Sequence, residues 1–145
     1  MREIEFRGKY HLIETDERIW IYGCNDWGEI VDENDENWRV DESTIGQWTG
    51  LLDKGFHRIY EGDVVKAEFE YGHKEIVGVV QYYTEWACYG VLDEHGDGQS
   101  WAHLIGLCTI IGNIFDDEEL MQKYGRAYFG KDLQTDRSKR KGRKP

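Results

Sequence analysis

Between residues 65 and 71 the chain alternates. Val65, Ala67, Phe69 and Tyr71 fall on one parity, and Lys66, Glu68 and Glu70 on the other. Side chains repeat about every 3.6 residues along a helix and every second residue along a strand. The segment therefore reads as an amphipathic strand, with Val65, Phe69 and Tyr71 buried and Lys66, Glu68 and Glu70 exposed. Gly72-His73 makes a turn. Ile76 to Tyr83 is then apolar on both parities and broken by Gly78, as in a strand that is covered on both faces or bent. A chain with this patterning folds as β layers.

The rest of the sequence repeats the theme. Ile4 and Phe6 alternate with charged residues before Gly8, and Arg18–Tyr22 is a second strand ending in the turn Gly23–Gly28. Glu29–Val31 pairs back across that turn, Asp32–Asn37 is a polar loop, and Trp38–Val40 is extended. Trp86–Leu92, closed by Asp93–Gly98, is followed by strand candidates at Trp101–Leu104 and Thr109–Phe115. There are 17 glycines and a single proline, Pro145, so turns rely on Gly, Asn and Asp. Aromatic residues at 14%, with six Trp and nine Tyr, suit β packing. The stretch TIGQWTGLLDKGFHRIYEGDVV, Thr44 to Val65, holds Gly46, Gly50, Gly55 and Gly62 and reads as a turn-rich hinge. Gly62 bends the chain there and Asp63 folds back onto turn amides; a ligand loop is the alternative.

One helix is expected over 116–125. Asp116 is its N-cap candidate and Glu119 the capping-box partner, Leu120, Met121 and Tyr124 form its apolar side, and Gly125 ends it. The expected fold class is mainly β: an N-terminal β region over 1–58, a meander closing toward a small barrel over 59–115, the helix, and a disordered basic tail over 131–145.

Charge divides the chain. The net charge is −11. The last fifteen residues carry seven Lys or Arg against two Asp, and the preceding 130 carry 11 basic against 27 acidic residues. An acidic body of −16 repels nucleic acid and attracts basic surfaces, whereas a tail of +5 can neutralise phosphates without reading sequence. Arg137, Lys139, Arg140, Lys141, Arg143 and Lys144 are its candidate nucleic-acid contacts. Three cysteines, Cys24, Cys88 and Cys108, form no C-x-x-C and read as reduced, buried thiols of a cytoplasmic protein. No apolar run reaches the roughly 20 residues of a membrane span, and no membrane partner is expected.

The sequence carries few chemical motifs. There is no phosphate loop, H-E-x-x-H or G-x-S-x-G. The five histidines are scattered. His95 and His103 could meet across a hairpin, but scattered turn histidines are the ordinary reading, and no metal or cofactor is expected. Asp32, Asn34 and Glu36 begin like a calcium loop, but Asn37 stands where the loop needs glycine and Ser43 where it needs glutamate. Asp116 to Glu119 could do acid–base work, yet capping explains them, and no nucleophile sits beside a base. The expectation is not an enzyme.

Three blocks in order, MREIEFRGKY, TIGQWTGLLDK…IYEGDVV and IIGNIFDDEEL, resemble the YopX family of phage and prophage proteins, over Met1 to about Tyr124. The resemblance implies a β-rich domain with an SH3-like barrel and a phage or prophage origin, hence the cytoplasm of a host cell. It supplies no catalytic or binding residues. Asp117 replaces a proline often found just inside the family's last helix, and the basic tail lies outside its motifs. The aromatic group Tyr82, Tyr83, Trp86, Tyr89 and Trp101 fills a small barrel's core or presents a binding face, with Trp86, Tyr89 and Trp101 as candidate partner contacts and Trp86 expected exposed. The functional expectation is a non-enzymatic accessory protein that binds a phage or host protein, with nucleic-acid binding through the tail as the alternative. Open edge strands leave a homo-oligomer open as well.

Overall fold

The computed structural model describes residues 3–68, 75–85, 87–100 and 108–142, with backbone alone at 99–100 and 131–142. Phe69–Lys74, Trp86 and 101–107 lie outside that set, as do the two ends of the chain. The protein is mainly β, in two compact units, Met1–Glu61 and Gly62–Pro145.

In the first unit six strands form one antiparallel sheet. They are β1 (Phe6–Leu12), β2 (Glu17–Asp26), β3 (Glu29–Val31), β4 (Asn37–Arg39), β5 (Asp41–Leu52) and β6 (Arg58–Tyr60). Their order is β4-β3-β2-β1-β5-β6. Ile21, Ile30 and Val40 are buried at its core, packed with Phe6, Tyr10, Ile19, Trp38 and Ile45. Two expectations change here. Thr44–Leu52 is strand, not turn: β5 pairs with β1 on one side and β6 on the other, and those ladders override the weak β preference of Gly46 and Gly50. Its register shifts between Trp48 and Leu52 at a bulge around Gly50. Ile59 and Tyr60, placed with the barrel from sequence, belong to β6 and so to the first sheet.

The division falls at Gly62, where a bend was expected. Gly62 has φ +90, which an L side chain rarely adopts, and its backbone bonds to Val80 and Ile114 of the second unit. That unit comprises β7 (Asp63–Glu68), β8 (Glu75–Tyr83), β9 (Cys88–Leu92), β10 (Gly98–Ser100), β11 (Cys108–Asn113) and α1 (Glu118–Gly142). The strand order β10-β9-β8-β7-β11 is an antiparallel meander consistent with the SH3-like type, though open between its edges. In β7, Val65 and Ala67 are fully buried and Glu68 is exposed, as the alternation requires, while Lys66 is half-buried and pairs with Glu75 at 3.2 Å. Val64 is as buried as Val65, so this end of the strand has no wet face. The expectations for Phe69, Glu70 and Tyr71 lie outside the described residues, as does the candidate strand Trp101–Leu104.

The helix is longer than expected and capped one residue later. Asp117, not Asp116, accepts from the backbone N–H of Glu119 (3.0 Å) and Leu120 (3.3 Å). Asp116 instead accepts from Asn113 Nδ2 at 2.8 Å. Leu120, Met121, Tyr124, Ala127 and Tyr128 recur at helical spacing and pack on Val64, Val79, Leu92 and Ile114. Gly125 is inside the helix, and α1 continues through the segment expected as a tail, to Gly142. That segment has no proline before Pro145 and is rich in Lys and Arg, good helix formers. Acidic residues in the first turn, Glu118 and Glu119, complement the helix dipole.

Candidate interaction surfaces

Three hairpins close with the same five-residue loop, each led by an aspartate: Asp32–Glu36, Asp53–His57 and Asp93–Asp97. In each, the aspartate N–H donates to the carbonyl of the fifth residue (3.0, 2.8 and 2.9 Å), and the fourth residue's N–H donates back to the aspartate carbonyl (3.1, 3.0 and 3.1 Å). The carboxylate Oδ1 accepts the N–H groups of the third and fifth residues. Asp32, Asp53 and Asp93 thus each fold back onto the amides of their own loop, and the acidic run at Asp32 is a turn; Asp63 is buried at the start of β7. Asp32 Oδ2 also accepts from Trp38 Nε1 at 2.9 Å. That bond, with those from the Glu36 and Asn34 amides, holds its carboxyl below the usual range.

The fourth position of this loop is left-handed, the conformation that favours Gly, Asn and Asp. Two copies comply, Asp35 (φ 60) and Gly96 (φ 84); the third holds Phe56 (φ 65). Phe56 is 83% exposed. A second bulky residue shares its situation. The β2–β3 register ends at Asp26↔Glu29, which leaves the two-residue loop Trp27-Gly28. Its φ values of 50 and 86 are those of a type I′ turn, normally Asn-Gly. Gly23–Asp26, expected as part of that turn, is strand. Trp27 is 98% exposed. Left-handed side chains of this size cost of order 1–3 kcal/mol, and here neither recovers anything by burial.

Carboxylates surround the Trp27 turn. Asp26 and Glu29 flank it, and the Glu42 carboxylate occupies the space beside Gly28 that a Cβ would fill. Glu29 is held by Asn37 Nδ2 at 3.1 Å and faces Arg39 at 3.9 Å.

A contrasting array is buried in the same unit. Arg7 Cζ lies 4.2 Å from the Trp20 ring and 4.7 Å from Tyr60, and Lys9 Nζ lies 4.6 Å from Trp20. Both cations are under 8% exposed. Next to them Arg58 stacks on Trp48 at 4.2 Å and pairs with Glu5 and Glu3. Burial, reinforced by Glu5, pushes the Tyr60 phenol upward and keeps it protonated. For Arg58, burial acts to lower the pKa and the Glu5 and Glu3 carboxylates more than offset it. Cations stacked on rings in this way stiffen the sheet; the burial of Arg7 and Lys9 makes them framework.

Of the residues singled out from sequence, Trp86 and Trp101 lie outside the described residues. Tyr89 is half-buried, its ring 5.2 Å from Tyr82 in an edge-on contact. The basic residues Arg137, Lys139, Arg140 and Lys141 lie on the last turns of α1 in sequence, and Arg143 and Lys144 lie outside the described residues, as does His103. Of the thiols only Cys108 is buried; Cys24 is exposed and Cys88 half-buried, because β2 turns Cys24 to its open side. Among the described residues no group of three metal-ligating side chains forms, and no helix is long and apolar enough to cross a membrane. Sequence reading missed Trp27 and Phe56. The available signal was a bulky aromatic in a turn slot made for Asn or Gly.

The family model described as YopX protein matches residues 3–122. The chain belongs to the YopX family. The match spans both sheets and the first turns of α1, and the family is of phage type. No curated protein matches the chain. The YopX region includes both aromatic turns, and the basic C-terminal segment lies beyond it.

Proposed function

We propose that this YopX protein is a non-enzymatic accessory module that works by binding a phage or host protein with a basic surface, in the host cytoplasm. The observation that carries this reading is the display of large aromatic side chains at strained hairpin tips of an acidic body. Strain kept at an exposed site points to use of that site, and Trp is a typical anchor of protein interfaces. The first unit bears 15 acidic against seven basic residues, which favours cationic partners and disfavours polyanions. The test is capture of partners by the immobilised full chain, followed by a salt titration of each purified complex. A stoichiometric basic protein whose affinity falls with salt supports the reading. Capture of nothing but nucleic acid overturns it.

The second reading, nucleic-acid binding through the C-terminal segment, draws on its +5 charge. It expects weak, sequence-independent affinity, falling with salt at a logarithmic slope of up to about 5, and lost when the chain ends at Gly130.

A further inference from the structure

We infer that the Trp27 turn is a specific docking point for a Lys/Arg-rich segment of the partner protein, with the indole as platform and Asp26, Glu29 and Glu42 as counter-charges. This rests on the protein-binding reading above and says where such binding occurs.

Three independent observations converge on the turn. The first is conformational. Residue 27 is the first position of a type I′ turn at φ 50, a site for Asn, Asp or Gly. Any folding requirement alone would be met better by Asn, since Gly28 already supplies the second position at φ 86. The second is solvation. At 98% exposure Trp27 contributes nothing to the core, unlike Trp38, which packs against Ile21, Ile30 and Val40. The third is charge. Asp26 and Glu29 are the paired residues at the base of the loop, and Glu42 reaches its glycine from β5. Arg39 faces Glu29 at 3.9 Å, and one cation against three carboxylates leaves the turn acidic. An exposed indole on a turn flanked by carboxylates is complementary to a guanidinium or ammonium group, which gains from the ring face and from the counter-charges together. Phosphate groups are repelled by the same carboxylates, so nucleic acid is the wrong ligand for this point.

The occupant is therefore a basic protein segment. The predicted signature separates it from a merely structural role, because one substitution moves stability and binding in opposite directions. Trp27→Asn creates the preferred Asn-Gly turn. It should raise the melting temperature by about 2–4 °C and weaken binding at least tenfold. Trp27→Tyr keeps a ring and should retain most of the affinity.

The experiment uses the full chain and a fluorescein-labelled Arg/Lys-rich peptide, with Gly and Ser between the basic residues, read by anisotropy at low salt. A second peptide with every basic residue changed to Gln is the control. Saturable binding of the basic peptide, lost in Trp27→Asn and weakened in Glu42→Gln, supports the proposal. Equal affinity of the wild-type and Trp27→Asn chains overturns it and leaves the broader protein-binding reading standing. If the basic peptide binds neither chain, the cationic-partner reading fails with it. A fall in melting temperature for Trp27→Asn also refutes the argument, since it would make the indole structural.

Discussion

Asp53 offers a direct measurement of what the repeated loop contributes. Its Oδ1 accepts three hydrogen bonds, from Gly55 N–H (2.8 Å), His57 N–H (2.9 Å) and His57 Nδ1 (3.1 Å). Its side chain is 3% exposed, so water replaces the carboxylate only in part when it is removed. Net contributions of about 1.5–3 kcal/mol attach to hydrogen bonds with a charged partner, and bonds that share one oxygen do not add fully. Gly55 and His57 are themselves exposed, and water recovers part of their amide bonding. Asp53→Ala should therefore cost about 2–3 kcal/mol, in the range of a strong N-cap deletion. Asp53→Asn keeps an oxygen acceptor at the same place and should cost about 1 kcal/mol. Asp93→Ala removes two bonds of the same kind from a half-buried side chain and should also cost about 1 kcal/mol. Urea unfolding followed by tryptophan fluorescence suits the comparison, because Trp20, Trp27, Trp38 and Trp48 all lie in the unit that holds Asp53. If Asp53→Ala costs no more than Asp53→Asn, the acceptor geometry is not what holds the hairpin and the reasoning fails.

The other predictions concern packing, pH and the C-terminal segment. Tyr124 is 3% exposed under the second sheet, so Tyr124→Ala should cost about 3–5 kcal/mol, measured by chemical denaturation. Burial raises the Glu61 carboxyl against the opposing pull of the Gln47 amide. A raised folded pKa means that the associated stability is present below the unfolded value, near 4.3, and is lost as pH rises through the folded one. Glu61→Gln keeps the acceptor for Gln47 N–H, so it should be more stable than wild type at neutral pH and indistinguishable in acid; thermal melts across that range decide. Ending the chain at Gly130 should leave the melting temperature nearly unchanged, since among the described side chains the core contacts of α1 run to Phe129. Ending it at Gly125 removes Ala127, Tyr128 and Phe129 from that core and should lower the melting temperature sharply. Equal melting of the two truncated chains would refute the assignment of that core.

Much of the fold was legible because its causes are local. The alternation at Val65 and Ala67 dictates one buried face whatever the neighbouring strands are. Glu29–Val31 had to return across the loop before it, and Gly62 had to bend the chain, because few other residues accept φ near +90. Leu120, Met121 and Tyr124 already had helical spacing. Other features were decided by partners distant in sequence. Thr44–Leu52 looks like turns until β1 and β6 supply its hydrogen bonds, and Tyr60 joins the first sheet only through its pairing with Trp48. The helix start moved from Asp116 to Asp117 because the Asn113 side chain, at the end of β11, takes Asp116 for itself. Whether a Trp is core or surface is likewise a tertiary matter. Composition treats Trp27 and Trp38 alike, yet a two-residue turn lifts one fully into solvent while the other packs half-buried against the core. The sequence by itself thus determined layer type, turn chemistry and charge. Only the tertiary structure decided which aromatic residues remain free to meet a partner, because exposure depends on which strands pair and where their turns end.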